Sequence, residues 1–468
     1  MKRADKLRTS RLVPVVGIIA ASVGIIYGYD LSTFAGALRY ITDEFSLSTH
    51  QQEMLTATVV IGEIAGAIGG GLLANAIGRK KSMVLATAAY ATFAVISAES
   101  VSLPMLLMAR LLVGLAIGVS LAVVPVFIAE YALAKVRGSL LVGSQLTTIL
   151  GIIAGYLVAY LLADSHSWRW MLGSAALPAV LILLLLLPMP DTARWYMLSG
   201  RIVQARRALG YVEPEVDVEA ELAEIALTLS EERGSALTEM LRHPYRRATI
   251  FVVGLGFLAH ITGINAIIYY STRLLEAMGF RDNFGLFGLP ALVQTAGLVA
   301  VIVSLVLVDR LGRRPILLSG IGMMVAADAL LVGAFAFGSN FAGMLPGLGF
   351  GGVLLFTASF SLGFGAIVGV YAGESFPTRL RSMGSGVMLT ADLVANAIVT
   401  AVFLTMLHSL GGAGTFTVFG AIALSALVFV YRLAPETKGR QLEDIRHLWG
   451  TGRATPAERI TATAVAET

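Results

Sequence analysis

Arg110 opens an apolar run that holds no other charge before Glu130. A guanidinium cannot be deprotonated in a protein, and unpaired at membrane depth it costs roughly 3 kcal/mol or more. It needs an acid. The first apolar run supplies one in Asp30, within Gly28-Tyr29-Asp30. Burial favours the neutral acid, whereas a neighbouring guanidinium favours the carboxylate. A conformational change that alters their separation therefore loads or releases a proton. The pair predicts a transporter whose coupling ion is the proton, with no other cofactor. The alternative is a static ion pair that orders a helical bundle.

His260 and Asp392 are further ionisable residues inside apolar runs. Such groups within a membrane usually mark a pathway; the alternative is that these two pair with each other as structure. Glu63 and Asp328 are two more acids at membrane depth, with no role assigned by their context. No metal-spaced His/Cys cluster, Gly-rich phosphate loop or Ser-His-Asp order appears, so the chain is not expected to be an enzyme.

These residues must be held by membrane-spanning elements. The 468 residues are 56% hydrophobic and only 14% charged, with mean hydropathy +0.79. Soluble domains carry about 25% charged residues, so the chain is an integral membrane protein. Its apolar runs last about 20 residues and do not alternate, which predicts helices rather than a barrel. The 50 glycines suit close helix packing in lipid. A net charge of +4 gives no case for nucleic acid, and the absence of Cys removes disulfides and thiolate chemistry. The basic N-terminus (Lys2, Arg3, Lys6, Arg8, Arg11) precedes an apolar run longer than a signal-peptide core, read as a retained first helix.

Twelve spans are expected, at roughly 12–36, 53–75, 82–100, 103–129, 138–163, 168–188, 248–275, 284–308, 315–337, 342–372, 382–408 and 414–433. With both termini inside, the cytoplasmic segments hold Arg79, Lys80, Lys81, Lys135, Arg137, Arg310, Arg313, Arg314, Arg379 and Arg381. The outer loops and span ends hold only Arg39, Arg169, Arg273 and Arg281. The positive-inside rule therefore places both termini in the cytoplasm, in a plasma (bacterial inner) membrane. Residues 189–247 form the one long polar stretch, a cytoplasmic linker with surface helices. It divides 1–188 from 248–433, and 434–468 is a cytoplasmic tail. The linker is either a solvated tether or a latch between the halves.

The two halves repeat. Gly78-Arg79-Lys80 recurs as Gly312-Arg313-Arg314, Glu130 with Arg137 as Glu374 with Arg381, and Pro190-Asp191-Thr192 as Pro435-Glu436-Thr437. One six-helix unit has been duplicated.

In order, G-Y-D at 28–30, G-R-K at 78–80, the stretch from Arg110 to Gly138, Gln145, and W-R-W-M-L at 168–172 resemble the sugar porter family of the major facilitator superfamily. P-D-T-A-R-W at 190–195, T-G-I-N-A-I-I-Y-Y-S at 262–271, V-D-R-L-G-R-R at 308–314, E-S-F-P-T-R-L-R at 374–381 and P-E-T-K-G-R at 435–440 complete the likeness. It implies an all-α membrane fold of twelve helices in two pseudo-symmetric six-helix bundles, one central site and alternating access. It also implies that Asp30 facing Arg110 marks proton coupling. Arg79, Glu130, Arg137, Asp309, Arg313, Glu374 and Arg381 would form cytoplasmic gate clusters, although Asn75-Ala76 replaces the usual Asp-Arg before G-R-K.

The implied solute site departs from the pattern. Gln145 and Asn265 match positions that hydrogen-bond sugar hydroxyls in the family, and Asn396 is retained. Ala259 and His260 replace the paired glutamines, and Gly297 replaces an asparagine. Ala366 and Gly369 remove a Pro and a stacking Trp, and Asp392-Leu393 replaces a polar-Trp pair. The expected binding set is Gln145, His260, Asn265, Tyr269, Asp392 and Asn396. The leading function is proton-coupled symport of a sugar or polyol by a carrier functional as a monomer. One rival carries a charged or less hydroxylated solute, drug-like export included; another is a membrane nutrient sensor.

Overall fold

The computed structural model describes residues 12–131, 134–212, 218–231, 236–242, 245–337 and 344–438, and every regular element among them is helical. The first six spans are α1 (Leu12–Phe45), α2 (Thr49–Ile77), α3 (Arg79–Ala98), α4 (Leu103–Tyr131), α5 (Ala134–Leu162) and α6 (Trp168–Leu186). After the linker come α7 (Arg246–Tyr269, continued by Ser271–Ala277), α8 (Phe284–Leu311), α9 (Arg313–Phe337) and α10 (Met344–Glu374). The helix Thr378–Leu433 breaks at Gly411, whose φ is 68°, and so supplies both α11 and α12. Twelve spans result, with α1 reaching nine residues beyond the expected end at 36, to Phe45.

Within each half, long helices pack in pairs: α1 on α5 and α2 on α4 in the first, and α8 on α10 in the second, where α7 and α9 pack on the helix Thr378–Leu433. The α2–α4 contact explains itself. Gly62 and Gly66 face α4, and Gly114 and Gly118 face α2; a Cβ on any of the four would strike backbone of the facing helix. Lipid gives no hydrophobic drive for helices to associate, so small residues four apart let the backbones touch instead. This contact carries Glu63 on α2 and fixes its level relative to Arg110 on α4.

The linker forms short helices, Ala193–Leu198, Ile202–Val212, Val218–Glu231 and Ala236–Met240, all on one side of the bundle, here termed the linker face. On the opposite, far face the halves are joined. The Tyr156 hydroxyl donates to the Ile268 carbonyl at 2.8 Å, and Thr272 Oγ1 donates to the Ala35 carbonyl at 3.1 Å. The Thr405 amide and hydroxyl both donate to the Glu53 carboxylate, at 2.6 and 2.7 Å. Tyr40 stacks on Phe287 at 6.1 Å. Toward the linker face the halves part around a cavity of about 2020 Å³. The chain is closed on the far face and open on the linker face.

Candidate functional site

Arg110 and Asp30 meet as a bidentate pair. Nη1 donates to Oδ1 and Nη2 to Oδ2, each at 2.8 Å, with Arg110 1% and Asp30 3% exposed. The Tyr90 hydroxyl adds a third donor to Oδ1 at 3.3 Å, and the Phe34 ring lies 4.4 Å from the guanidinium carbon. Two charges in oil are tolerable only with such geometry, since desolvation costs each several kcal/mol. Both carboxylate oxygens accept from the guanidinium. Tyr90 reaches Asp30 on one side and lines the cavity on the other, which gives the carboxylate a polar route to water.

The cavity runs from Gln145, His260, Asn265 and Asp392 at its depth to Arg79, Glu130, Glu374 and Arg381 at its mouth. His260 of α7 and Asp392 of α11 face each other, Nδ1 against Oδ1, both partly open to the cavity. Tyr269 and Asn396 are fully buried behind the wall. Tyr269 instead stands edge-on to Phe34, with ring centroids 6.1 Å apart, beside the Arg110 cluster. The Asn265 Nδ2 and both polar side-chain atoms of Asn396 have no hydrogen-bond partner among the described residues.

Several lining residues went unsuspected in the sequence. Gln294 and Ser361 face the cavity beside Gly297, where a Cβ would meet Ser361 Oγ at 2.9 Å and Gln294 Oε1 at 3.9 Å. Gln294 thus places an amide at the cavity one turn before Gly297 on α8. Phe360 and Phe364 of α10, with ring centroids 5.9 Å apart, bring aromatic surface to the wall that Ala366 and Gly369 leave without a Trp. No sequence signal separates a cavity-facing Phe from a lipid-facing one inside an apolar run.

At the linker face the repeat becomes geometry. In the first half Arg79 Nη2 donates to Glu130 Oε1 at 3.0 Å, and Thr192 Oγ1 to Oε2 at 2.7 Å. The Asp191 carboxylate accepts the Arg79 and Lys80 amides at 3.0 and 3.3 Å. In the second half Arg313 Nη2 donates to Glu374 Oε1 at 3.1 Å and Thr437 Oγ1 to Oε2 at 2.6 Å. Glu436 accepts the Arg313 and Arg314 amides, both at 3.1 Å. Asp309 sits 3.4 Å from Arg313, and its counterpart Asn75 offers Arg79 no charge. Asp191 and Glu436 were visible only as repeated letters; each caps the first turn of the helix after a left-handed glycine, Gly78 or Gly312. Burial pushes the Glu436 carboxyl up, but the amides of Lys438, Arg313, Arg314 and Thr437 prevail and hold it below the usual range. Arg381 lines the cavity mouth; the Arg137 side chain lies outside the described residues.

The Sugar (and other) transporter family model matches residues 16–449. The galactose-proton symporter of Escherichia coli (strain K12) is 32% identical over 444 residues, covering 94% of each chain. The arabinose-proton symporter of Bacillus subtilis (strain 168) is 30% identical over 445 residues, covering 93% of this chain and 95% of its own. The structure of the proton:xylose symporter XylE bound to 6-bromo-6-deoxy-D-glucose shares the fold, with TM-score 0.79 at 24% identity over 94% of this chain and all of its own. The twelve-helix body, its internal repeat and a match along almost the whole length agree: the chain belongs to the Sugar (and other) transporter family.

Proposed function

We propose that the chain is a secondary carrier that takes a sugar into the cell with a proton, by alternating access, and works as a monomer. The observation that carries this reading is the buried Asp30–Arg110 pair, joined through Tyr90 to a cavity lined by amides. The linker face, with Arg79, Lys80, Lys81, Arg310, Arg313 and Arg314 at its helix ends, is the cytoplasmic side of the plasma membrane by the positive-inside rule. The present geometry is then inward-open, with Asp30 deprotonated. Facing outward, Asp30 takes a proton, the guanidinium loses its carboxylate, and the pair can part. Solute held between Gln145 and Asn265 completes the neutral, loaded state that can rock inward. There Arg110 reclaims Asp30 as the proton leaves through Tyr90 to the cavity.

Sugar as cargo is supported by the relatives named galactose-proton and arabinose-proton symporters and by the amides on the wall, each with donors and an acceptor for hydroxyls. A second reading, a hydroxylated solute bearing a positive charge, is favoured by Asp392 on that wall. Uptake of a labelled panel (galactose, arabinose, xylose and amino sugars) into vesicles with an imposed pH gradient tests both. Uphill uptake of neutral sugars that fails in Asp30→Asn supports the first reading. Preference for amino sugars selects the second, and no sugar uptake at all overturns the cargo assignment.

A further inference from the structure

Glu63 stands on α2 at 0% exposure, and neither carboxyl oxygen has a hydrogen-bond partner among the described residues. At this level α2 and α4 touch backbone to backbone, with Gly118 packed on the Glu63 carbonyl. The charged neighbours of Glu63 come from three other helices: Asp30 of α1, Arg110 of α4 and Asp392 of α11. The phenols of Tyr27 (α1) and Tyr269 (α7) belong to the same cluster, and Tyr90 (α3) stands beyond Asp30. Arg110 spends both terminal nitrogens on Asp30, while its Nε–H has no partner among the described residues. A carboxylate with no donor in such a place is costly, so the neutral acid is the form that fits. A carboxyl with nothing to hold and a guanidinium with a donor to spare thus share one dry cluster.

We infer that Glu63 is a second proton-holding residue of the coupling machinery and the alternate partner of Arg110. This rests on reading Asp30 and Arg110 as the coupling pair. In the hand-off the O–H bond of Glu63 breaks as that of Asp30 forms, and the guanidinium passes from one carboxylate to the other. The hand-off itself leaves the triad with one proton, one cation and one anion, so this step strands no net charge in oil; the transported proton enters and leaves in separate steps. A lone pair would have to expose Arg110 unpaired whenever Asp30 is protonated; the second acid removes that state.

The test is infrared absorption of purified full-length protein in lipid nanodiscs at neutral pH, reading the carbonyl stretch of protonated carboxyl groups in H2O and D2O. Difference spectra cancel Asp328 of α9, whose carboxyl oxygens also lack a partner among the described residues. A protonated-carboxyl band is expected in the wild type, lost in Glu63→Gln and shifted but kept in Glu63→Asp. It is expected to be lost also in Asp30→Asn, where Arg110 draws Glu63 into its ionised form. If Glu63→Gln does not fold, carbon-13 labelling of glutamate in the wild type identifies the band, because aspartate stays unlabelled. A spectrum without a glutamate acid band overturns the inference, and so does a band of full strength in Asp30→Asn, which would make Glu63 a static acid. The measurement needs neither solute nor gradient, so a wrong cargo leaves it standing. Uphill uptake surviving in Asp30→Asn would remove its premise instead.

Discussion

Glu130 and Glu374 hold the same station in the two halves, each accepting a guanidinium on one oxygen and a threonine hydroxyl on the other. Their burial differs. The Arg79–Glu130 side chains are 6% and 10% exposed, against 16% and 28% for Arg313–Glu374. Removing one partner of a buried pair leaves an uncompensated charge at about 3–5 kcal/mol, whereas exposed pairs are worth about 0–1 kcal/mol. Glu130→Ala is therefore expected to lower the unfolding temperature in detergent clearly more than Glu374→Ala. Equal shifts would mean that the burial difference carries no energetic weight.

Glu436 makes a pH prediction outside the membrane. Its carboxyl is held below its ordinary value of 4.5 by the four amides around it. A group depressed in the folded state stabilises above its unfolded pKa and loses that contribution as pH falls through the folded one. Wild type should thus exceed Glu436→Gln in thermal stability near neutral pH, with the gap closing below about pH 4.5. A gap that stays constant into acid would show that shape rather than charge is what matters there.

Asp30→Asn should separate coupling from movement. A proton crossing 100 mV releases about 2.3 kcal/mol, enough for roughly fifty-fold accumulation of a co-transported neutral solute. The variant is expected to equilibrate solute without concentrating it while retaining counterflow exchange. Accumulation at the wild-type ratio would remove Asp30 from the coupling step.

Hydrogen-bond arithmetic applies to the solute wall. With the solute held as proposed, Gln145→Ala and Asn265→Ala each leave one of its hydroxyls unpaired, costing about 1–3 kcal/mol. KM should rise roughly five-fold to a hundred-fold with little change in protein stability. Gln294→Ala is expected to behave alike, because Gln294 places an amide at the cavity one turn before Gly297. An unchanged KM in all three variants would move the site elsewhere in the cavity.

How far the sequence reached follows from what each residue must satisfy. Arg110 announced Asp30 because a charge in oil must be answered, and Asp30 was the acid available in the first run. The spans were legible because twenty apolar residues have few other uses. Helix facing was not: Phe360 and Phe364 line the cavity, yet nothing in an apolar run says which side meets water. Nor was local breakage: α7 turns at Gly263, where φ is 99°, and α10 loosens into a π-helix over Ser361–Gly365. Asp191 and Glu436 could be seen to repeat, but a carboxylate folding back onto backbone amides depends on loop geometry that spacing does not encode.

Glu53 gives the far face its own latch. Its carboxylate, 1% exposed, takes both the amide and the hydroxyl of Thr405, and so ties α2 of one half to α11 of the other. Hydrogen bonds to a charged group contribute about 1.5–3 kcal/mol each, and these two exist only while the far face is shut. Their loss in Glu53→Ala favours the state open to the far side by at least about ten-fold, since 1.4 kcal/mol is one decade. The chain has no cysteine, so spin labels can be placed by substitution alone. Labels at Arg39→Cys and Arg281→Cys, on opposite halves of that face, read the distance by pulsed electron resonance. Glu53→Ala should move population to the longer distance, and Glu53→Gln, which keeps an acceptor, should move less. Identical distributions in all three proteins would show that the remaining far-face contacts, the Tyr156 and Thr272 hydrogen bonds and the Tyr40–Phe287 stack, shut the face without help from the carboxylate.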